Sequence, residues 1–93
     1  MIRSFADKPT ATIFLSHPVL SLPRPMQKAA LKKLLQLDAA KNIVDLRIPT
    51  GNRLEQLKGD RAGQWNIRIN DQWRICFEWD EVDLHKVAIV DYH

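Results

Sequence analysis

The sequence predicts a small α+β domain in which N-terminal helices pack on one face of an antiparallel β-sheet. Three observations lead to this fold class. Apolar residues recur at three- and four-residue spacings in residues 26–40, apolar and polar residues alternate around a turn in residues 65–79, and residues 87–90 form an apolar run. Because 93 residues usually build one hydrophobic core, we expect residues 1–93 to form a single domain.

The N-terminal half is expected to supply the helices. Residues 2–5 are predicted to form a first short strand and residues 7–15 a weak helix, and the three prolines of residues 16–25 mark a connector. Residues 26–40 have the most regular helical pattern, because their apolar side chains fall on one face. The lysines of this helix are interpreted as an exposed, solvated face: Lys28, Lys32 and Lys33.

A long polar segment punctuated by glycine follows at residues 46–63. Loops longer than about 12–15 residues inside compact domains are usually functional or disordered. Leu54 and Leu57 are spaced so that they can hold this segment against the domain. The sequence therefore favours a functional loop here.

The alternation in residues 65–79 predicts a β-hairpin, and its register follows from the apolar pattern. A two-residue loop would place an apolar side chain opposite a polar one at every pair. A three-residue loop at residues 70–72 instead pairs Ile67 with Ile75 and Trp65 with Phe77 on one apolar face. We expect this register, with the aromatic side chains in the core.

The same register sets Arg68 directly opposite Arg74 on the other face of the hairpin. Like charges that face each other across two strands repel, at a cost of a few tenths of a kcal/mol up to about 1 kcal/mol. The pair is therefore interpreted as a site for an anion held between the two cations. The alternative is a pair of solvated surface arginines that splay apart.

A last strand is predicted at residues 86–92, after the acidic turn at residues 80–83. It would pair with the second strand of the hairpin and bring Asp91, Tyr92 and His93 to the neighbourhood of the arginines. A carboxylate, a phenol and an imidazole on a rigid element are suited to proton transfer.

The charge balance favours a polyanionic partner. Fourteen Lys and Arg against eleven Asp and Glu give a net charge of +3, and the basic surplus lies before residue 78. The three histidines lack a metal-binding spacing, and Cys76 is interpreted as a strand residue. No leader opens the chain and no stretch approaches the roughly 20 apolar residues of a membrane helix, so we expect a cytoplasmic protein with no metal, cofactor or membrane partner.

Cleavage of RNA without a metal requires a base for the 2′-hydroxyl, an acid for the departing 5′-oxygen and cations for the phosphate. His93 titrates near neutrality and can serve as acid or base. Asp91 can orient His93 or share the proton transfer, and Tyr92 can stack on a base or donate a proton. The cations suited to hold and neutralise the phosphate are Lys58, Arg68 and Arg74.

Four ordered blocks together carry a resemblance that spans nearly the whole chain. The blocks are Gly51-Asn52-Arg53-Leu54, then Leu57-Lys58-Gly59-Asp60-Arg61-Ala62-Gly63, then Ile67-Arg68-Ile69-Asn70-Asp71-Gln72-Trp73-Arg74-Ile75, and the terminal Asp91-Tyr92-His93. In these blocks the chain resembles HigB-type toxins of the RelE/ParE superfamily.

The resemblance implies a bacterial toxin of a type II toxin–antitoxin pair with the RelE-like fold, a small antiparallel sheet with helices on one face. Such toxins enter the ribosomal A site and cut mRNA during translation, without a metal or other cofactor. A HigA-type antitoxin with a helix-turn-helix fold neutralises them, and operator DNA would be contacted only through that antitoxin.

The resemblance also implies roles for individual residues. Five match positions implicated in cleavage: Lys58, Arg74, Asp91, Tyr92 and His93. Three fit contacts with RNA or the ribosome: Arg53, Arg61 and Arg68. The chain departs from some relatives in having Glu55 where they place a histidine, three residues before the lysine of the Leu-Lys-Gly block. The groups available for proton transfer therefore differ, and His93 would carry more of the chemistry.

Two other functions compete with the nuclease interpretation. The first is a module that binds the ribosome or nucleic acid and inhibits translation without cutting. The terminal triplet together with Lys58 and Arg74 favours the enzyme over this module. The second is a simple DNA-binding domain, against which the lack of a helix-turn-helix pattern speaks.

Overall fold

A computed structural model describes residues 1–57 and 63–91. Two helices and a four-stranded antiparallel sheet, in the order β1-β2-β3-β4, make up its main elements, which confirms the α+β prediction. The elements are α1 (Lys8–Phe14), α2 (Arg24–Ala39), β1 (Glu55–Gln56), β2 (Gln64–Arg68), β3 (Trp73–Trp79) and β4 (Leu84–Asp91). No helix in the described ranges is long and apolar enough to cross a membrane.

Both helices begin where local chemistry allows. The Asp7 carboxylate caps α1, because its Oδ1 accepts a hydrogen bond of 2.8 Å from the backbone N–H of Thr10. Helix α2 begins two residues before the predicted start, with Pro25 in its first turn, where the missing N–H is no loss. Most of the predicted apolar stripe of α2 is buried, at Met26, Ala30, Leu34 and Leu37, but Leu35 of the same pattern is 52% exposed.

The hairpin register is the predicted one. Trp65 pairs with Phe77 and Ile67 with Ile75, and the N–H of Ile69 donates to the carbonyl of Trp73 beyond the paired strands. The three-residue loop thus puts every Trp, Ile and Phe side chain of the hairpin on the face that the helices cover.

The core lies between this face of the sheet and the two helices. Phe77, Ile67 and Ile75 from the hairpin are at most 1% exposed, and Leu84, Val87 and Ile89 of β4 extend the same layer. Three tryptophans pack against the cluster while staying partly exposed: Trp65, Trp73 and Trp79. The prediction that the aromatic residues are core rather than stacking platforms is confirmed.

The chain's first residues run beside the outer edge of β4 without forming the predicted strand. They make two isolated parallel bridges, from Ile2 to Leu84 and from Phe5 to Val87. The N–H groups of Leu84 and Val87 donate to carbonyls of this segment, at 3.0 and 3.1 Å. The N–H of Ile89 donates to the hydroxyl of Thr10 at 3.0 Å. The outer edge of β4 is therefore closed by the chain itself.

The predicted loop at residues 46–63 is more ordered than expected over its described part. Two short 3-10 helices, Ile43–Arg47 and Thr50–Asn52, lead into β1, which pairs with β2. Leu54 packs against the core, as its spacing suggested, and the N–H of Leu57 donates to the carbonyl of Gln64 at 2.9 Å. The expectation of a loop was wrong for residues 46–47, 50–52 and 55–56, which form parts of the 3-10 helices and strand β1.

Candidate active site

The face of the sheet opposite the helices, called here the open face, gathers the polar side chains of the strands. Its position follows from the register, since side chains of directly paired residues point to the same side. Glu55, Asn66, Cys76 and Ala88 form one row across the four strands. The next row holds Arg68, Arg74 and Val90. The predicted facing of Arg68 and Arg74 is thereby confirmed.

The two arginines do not converge on one point. Arg68 donates through Nη2 to the Asp71 carboxylate at the hairpin turn. Arg74 donates through Nη1 to the Oδ1 of Asn66 and, at 3.4 Å, to the carbonyl of Arg53. These partners lie on opposite sides of the Arg68–Arg74 pair, so the guanidinium groups splay, as the alternative interpretation held. Both side chains are nonetheless half-buried instead of solvated.

Asn66 is the polar centre of the open face, and the sequence analysis missed it. It is fully buried, and its Oδ1 accepts from Arg74. Its Nδ2 is buried and has no hydrogen-bond partner among the residues described. In the sequence, Asn66 looks like any outward-facing polar residue of an alternating strand. Its burial depends on tertiary neighbours such as Arg74, on the next strand, which the local pattern does not show.

The carbonyl that Arg74 reaches is set by the segment before β1. Asn52 is fully buried, and its amide donates to the carbonyl of Leu46 at 3.1 Å and to the side-chain oxygen of Gln36 at 3.2 Å. The next residue, Arg53, has a positive φ of 46°, in the left-handed region that non-glycine residues seldom occupy. Such a conformation persists where surrounding contacts enforce it, and here it directs the Arg53 carbonyl toward Arg74.

Lys33 joins this edge of the sheet to helix α2. Its Nζ donates to Oδ1 of Asn52, and its side chain is half-buried. Burial, assisted by the nearby positive charges of Lys32 and Arg68, lowers the pKa of Lys33. The prediction of a solvated lysine face is therefore confirmed for Lys28 and Lys32, which are exposed, and wrong for Lys33.

Glu55 and Asp91, the two carboxylates considered for proton transfer, lie on different faces of the sheet. Glu55 is exposed and shares a row with Asn66, so the register puts it on the open face. Asp91 pairs with Trp73, whose side chain lies on the helix face, and its carboxylate accepts from Nε2 of Gln72 at 3.2 Å. Strand β4 thus brings Asp91 one residue beyond the partner of Arg74, as predicted, but on the other side of the sheet.

A cavity of about 280 Å³ lies along β3 and β4. Its lining includes Cys76, Ala88 and Val90, and also Glu78 and Lys86, whose charged atoms are 3.7 Å apart. Cys76 is buried in β3, which agrees with its interpretation as a strand residue. The cavity provides small apolar side chains next to the cation row.

Four of the predicted site residues lie outside the described residues: Lys58, Arg61, Tyr92 and His93. Their assignment stays a prediction from the resemblance. Of the others, the structure brings Arg68, Arg74 and the backbone of Arg53 together at one end of the open face, and adds Asn66 and Glu55 to them. The side chain of Arg53 is exposed.

Comparison with known proteins bears on the family. Residues 3–93 match the family model described as the RelE-like toxin of the type II toxin–antitoxin system HigB. "Toxin HigB-1" of Vibrio cholerae is 47% identical over 58 residues, which are 62% of this chain and 61% of that protein. "Endoribonuclease HigB" of Proteus vulgaris is 31% identical over the full length of both chains.

A solved structure supports the fold. The "YoeB-YefM complex from Staphylococcus aureus" contains a chain that superposes with a TM-score of 0.58, covering 100% of this chain and 98% of that one, at 16% identity. At such low identity the likeness speaks for the fold alone. Because the family model spans nearly the whole sequence and a full-length relative exceeds 30% identity, the chain belongs to the HigB-like family of RelE-like toxins of type II toxin–antitoxin systems.

Proposed function

We propose that this protein is an endoribonuclease that cleaves mRNA on the ribosome and so inhibits translation. The observation that carries the proposal is Arg74, a half-buried guanidinium held on the open face by Asn66 and by the Arg53 carbonyl. A cation held in a fixed direction can stabilise charge that develops on a phosphate, and it needs no reorganisation during the reaction. The full-length similarity to a protein named endoribonuclease HigB supports the same activity.

The chemistry divides among few side chains. Arg74 and Lys58 would neutralise the scissile phosphate, because a planar guanidinium and an ammonium supply complementary hydrogen-bond donors. His93 would transfer the proton to or from the reacting oxygens, with Tyr92 as a stacking group or second proton donor. Asp91 lies at the end of β4 on the helix face, so its part would be to orient a neighbour instead of contacting the phosphate.

Glu55 is a further candidate for proton transfer. It stands where some relatives have a histidine, and the register places it on the open face in the row of Asn66. A carboxylate exposed on this face can accept a proton from a reacting hydroxyl. We assign Glu55 as a candidate general base that compensates for the missing imidazole.

Binding to RNA would rest on the basic residues around this site. Arg53, Arg61 and Arg68 are proposed to contact phosphates of mRNA or of the ribosome. The exposed Lys32 adds positive charge near this edge. Such contacts raise affinity without reading sequence.

The ribosome enters the proposal as the element that positions the substrate. A domain of 93 residues presents few groups with which to hold an RNA chain for in-line attack. Positioning by a larger partner lowers the barrier by supplying orientation in advance. We therefore place the reaction in the ribosomal A site, in the cytoplasm.

The family implies an antitoxin as partner. We infer an antitoxin of the HigA type, with a helix-turn-helix fold, which would also make any contact with operator DNA. The structure titled YoeB–YefM complex shows that a protein of similar fold has been solved as a complex. Purification of the protein together with a small helix-turn-helix protein encoded beside it would test this part of the proposal.

One observation favours a second function, inhibition without cleavage. Asp91 and Arg74 lie on opposite faces of the sheet, so the carboxylate implicated in proton transfer does not face the cation proposed to hold the phosphate. A toxin of this kind would occupy the ribosome and stall translation with the mRNA intact.

The deciding experiment maps mRNA 5′ ends after induction and after incubation of purified protein with programmed ribosomes. We expect new ends within the A-site codon when ribosomes are present, and almost none on naked RNA. An Arg74→Ala variant serves as the control, since it should leave the RNA uncut. Stalled ribosomes on uncut mRNA would establish the second function instead, and rapid cleavage of naked RNA would refute the requirement for the ribosome.

A further inference from the structure

We infer that Asn66 is a positioning residue that fixes the guanidinium of Arg74 for contact with the scissile phosphate. The inference rests on the proposed function, because it assigns Arg74 to the phosphate. It adds a residue that the sequence analysis did not single out, in the middle of a strand and out of contact with solvent.

The geometry places Asn66 where a long side chain can reach it. Arg74 pairs with Arg68, and Asn66 stands two residues away on β2, diagonally across the hairpin. Diagonal neighbours on one face are about 7–8 Å apart, within reach of long side chains. The Arg74 side chain leans along this diagonal and donates through Nη1 to Oδ1 of Asn66. The bond therefore determines the direction of the guanidinium on the open face.

The orientation of the Asn66 amide is fixed by Arg74. A guanidinium has donors and no acceptor, so only the oxygen of the amide can face it. The nitrogen must then point the other way, where the described residues offer it no acceptor. A buried donor without a partner lowers stability, and an apolar residue of similar size would avoid that loss. Stability alone thus gives no reason for asparagine at this position, whereas the need for a buried acceptor for Arg74 does.

A second acceptor, from another element, agrees with this role. The Arg53 carbonyl accepts from the same Nη1 at 3.4 Å and is presented by a residue with a φ of 46°. The preceding residue, Asn52, is fully buried and bonded to two neighbouring segments. Arg74 is thus held between β2 and the segment before β1. Such a supporting shell keeps a functional group in its productive geometry before the substrate arrives.

Three variants separate positioning from a purely structural role. Asn66→Val removes the acceptor and the unpartnered donor together and suits a β-strand. Asn66→Asp keeps the acceptor and the shape. Gln64→Val is the matched control, because Gln64 lies on the same strand and face, paired with Glu78 and away from Arg74. Should Asn66→Val melt far below the parent, Asn66→Ala replaces it, since alanine removes the acceptor without adding bulk.

The first measurement is independent of cleavage. ¹⁵N relaxation of the Arg74 Nε–H group by NMR should show a rigid side chain in the parent, in Asn66→Asp and in Gln64→Val. The same group should be mobile in Asn66→Val. An Arg74 side chain equally rigid in Asn66→Val would overturn the inference, whether or not the protein cleaves RNA.

The second measurement is cleavage of mRNA on programmed ribosomes, followed at varied ribosome concentration. Asn66→Val should lower the maximal rate at least about 10-fold, with the half-saturating concentration unchanged, because a small misplacement of a catalytic group costs rate more than binding. Gln64→Val should cleave like the parent. A parental rate in Asn66→Val contradicts the inference, whereas a parent that never cuts contradicts the proposed function and leaves the NMR result to decide on Asn66.

Discussion

Replacing Arg74 by alanine should separate catalysis from stability. The substitution leaves the buried Oδ1 of Asn66 without its donor, a loss of about 1–3 kcal/mol in the free energy of unfolding. It also removes the repulsion between Arg68 and Arg74, which returns a few tenths of a kcal/mol up to about 1 kcal/mol. The net loss of about 1–2 kcal/mol is well below the roughly 5–15 kcal/mol by which domains are usually stable. The variant should remain folded.

Thermal stability and cleavage activity should be measured on the same preparation of the Arg74→Ala variant. Thermal unfolding should show a Tm lower by about 5–15 °C, since about 4–8 °C corresponds to 1 kcal/mol in a domain of this size. Cleavage on ribosomes should fall about 10²–10³-fold, the usual effect of removing one donor that stabilises developing negative charge. Arg3→Ala is the matched control, because it removes the same charge and an ion pair of 2.9 Å with Asp83, away from the open face.

Three results would refute this reasoning. Cleavage at the parental rate by Arg74→Ala would mean that another cation holds the phosphate. A variant that is unfolded at room temperature would mean that Arg74 is a structural residue whose bonds to Asn66 and Arg53 maintain the sheet. If Arg3→Ala lost activity to the same degree, net charge and not position would be responsible.

Further predictions concern stability, pH and the end of the chain. Asn52→Ala should lower the free energy of unfolding by about 2–3 kcal/mol, measured by urea denaturation, because buried partners lose its amide; an unchanged urea midpoint would contradict that. Hydrogen bonds from the Asp83 backbone, from His85 and from the Val82 backbone lower the pKa of Asp80 from 3.8 to about 2. The stabilisation is complete above pH 4 and disappears as the pH falls to about 2, so Asp80→Asn should flatten the decline of the urea midpoint over this range. Deleting His93 should reduce the rate of mRNA cleavage about 10²–10⁴-fold if its imidazole transfers the proton. Cleavage at the parental rate would mean that another group, such as Glu55 or Lys58, transfers the proton.

The hairpin shows how much of the fold a sequence can predict. Its register was derivable because a shift of one residue would have moved every apolar side chain of residues 65–79 to the wrong face. The position of Arg68 opposite Arg74 followed from that register alone, and the structure confirms it. Helix α2 was equally accessible, since its buried residues repeat with the period of a helix.

Other parts had no local signal. Strand β1 consists of Glu55 and Gln56, both exposed, and two residues are too few for any periodicity. Lys33 looked like its neighbours on α2, because the buried Asn52 that it contacts is nineteen residues away. The burial of Asn66 was hidden for a similar reason, since the Arg74 side chain that contacts it comes from the neighbouring strand.

The sequence predicted the kinds of side chain in the candidate site better than it predicted their positions. The resemblance implied roles for Arg74 and Asp91. The pairing of β3 with β4 places Asp91 one residue beyond Val90, the partner of Arg74. Successive side chains of a strand point to opposite faces of the sheet. Val90 pairs with Arg74 and shares its face, so the next residue, Asp91, lies on the face that the helices cover. The strand and its pairing were predicted from the sequence, but the face on which Asp91 lies was not.

The closure of the β4 edge by residues 1–10 has a consequence for the timing of folding. Bridges from Ile2 to Leu84 and from Phe5 to Val87 join segments about eighty residues apart, and β4 also completes the core. Contacts at such separation can form only after most of the chain exists, and they slow folding. During its own synthesis the nascent protein therefore lacks the finished sheet. The ribosome that makes this chain must therefore translate the codons of β4 before the sheet and its open face can be completed.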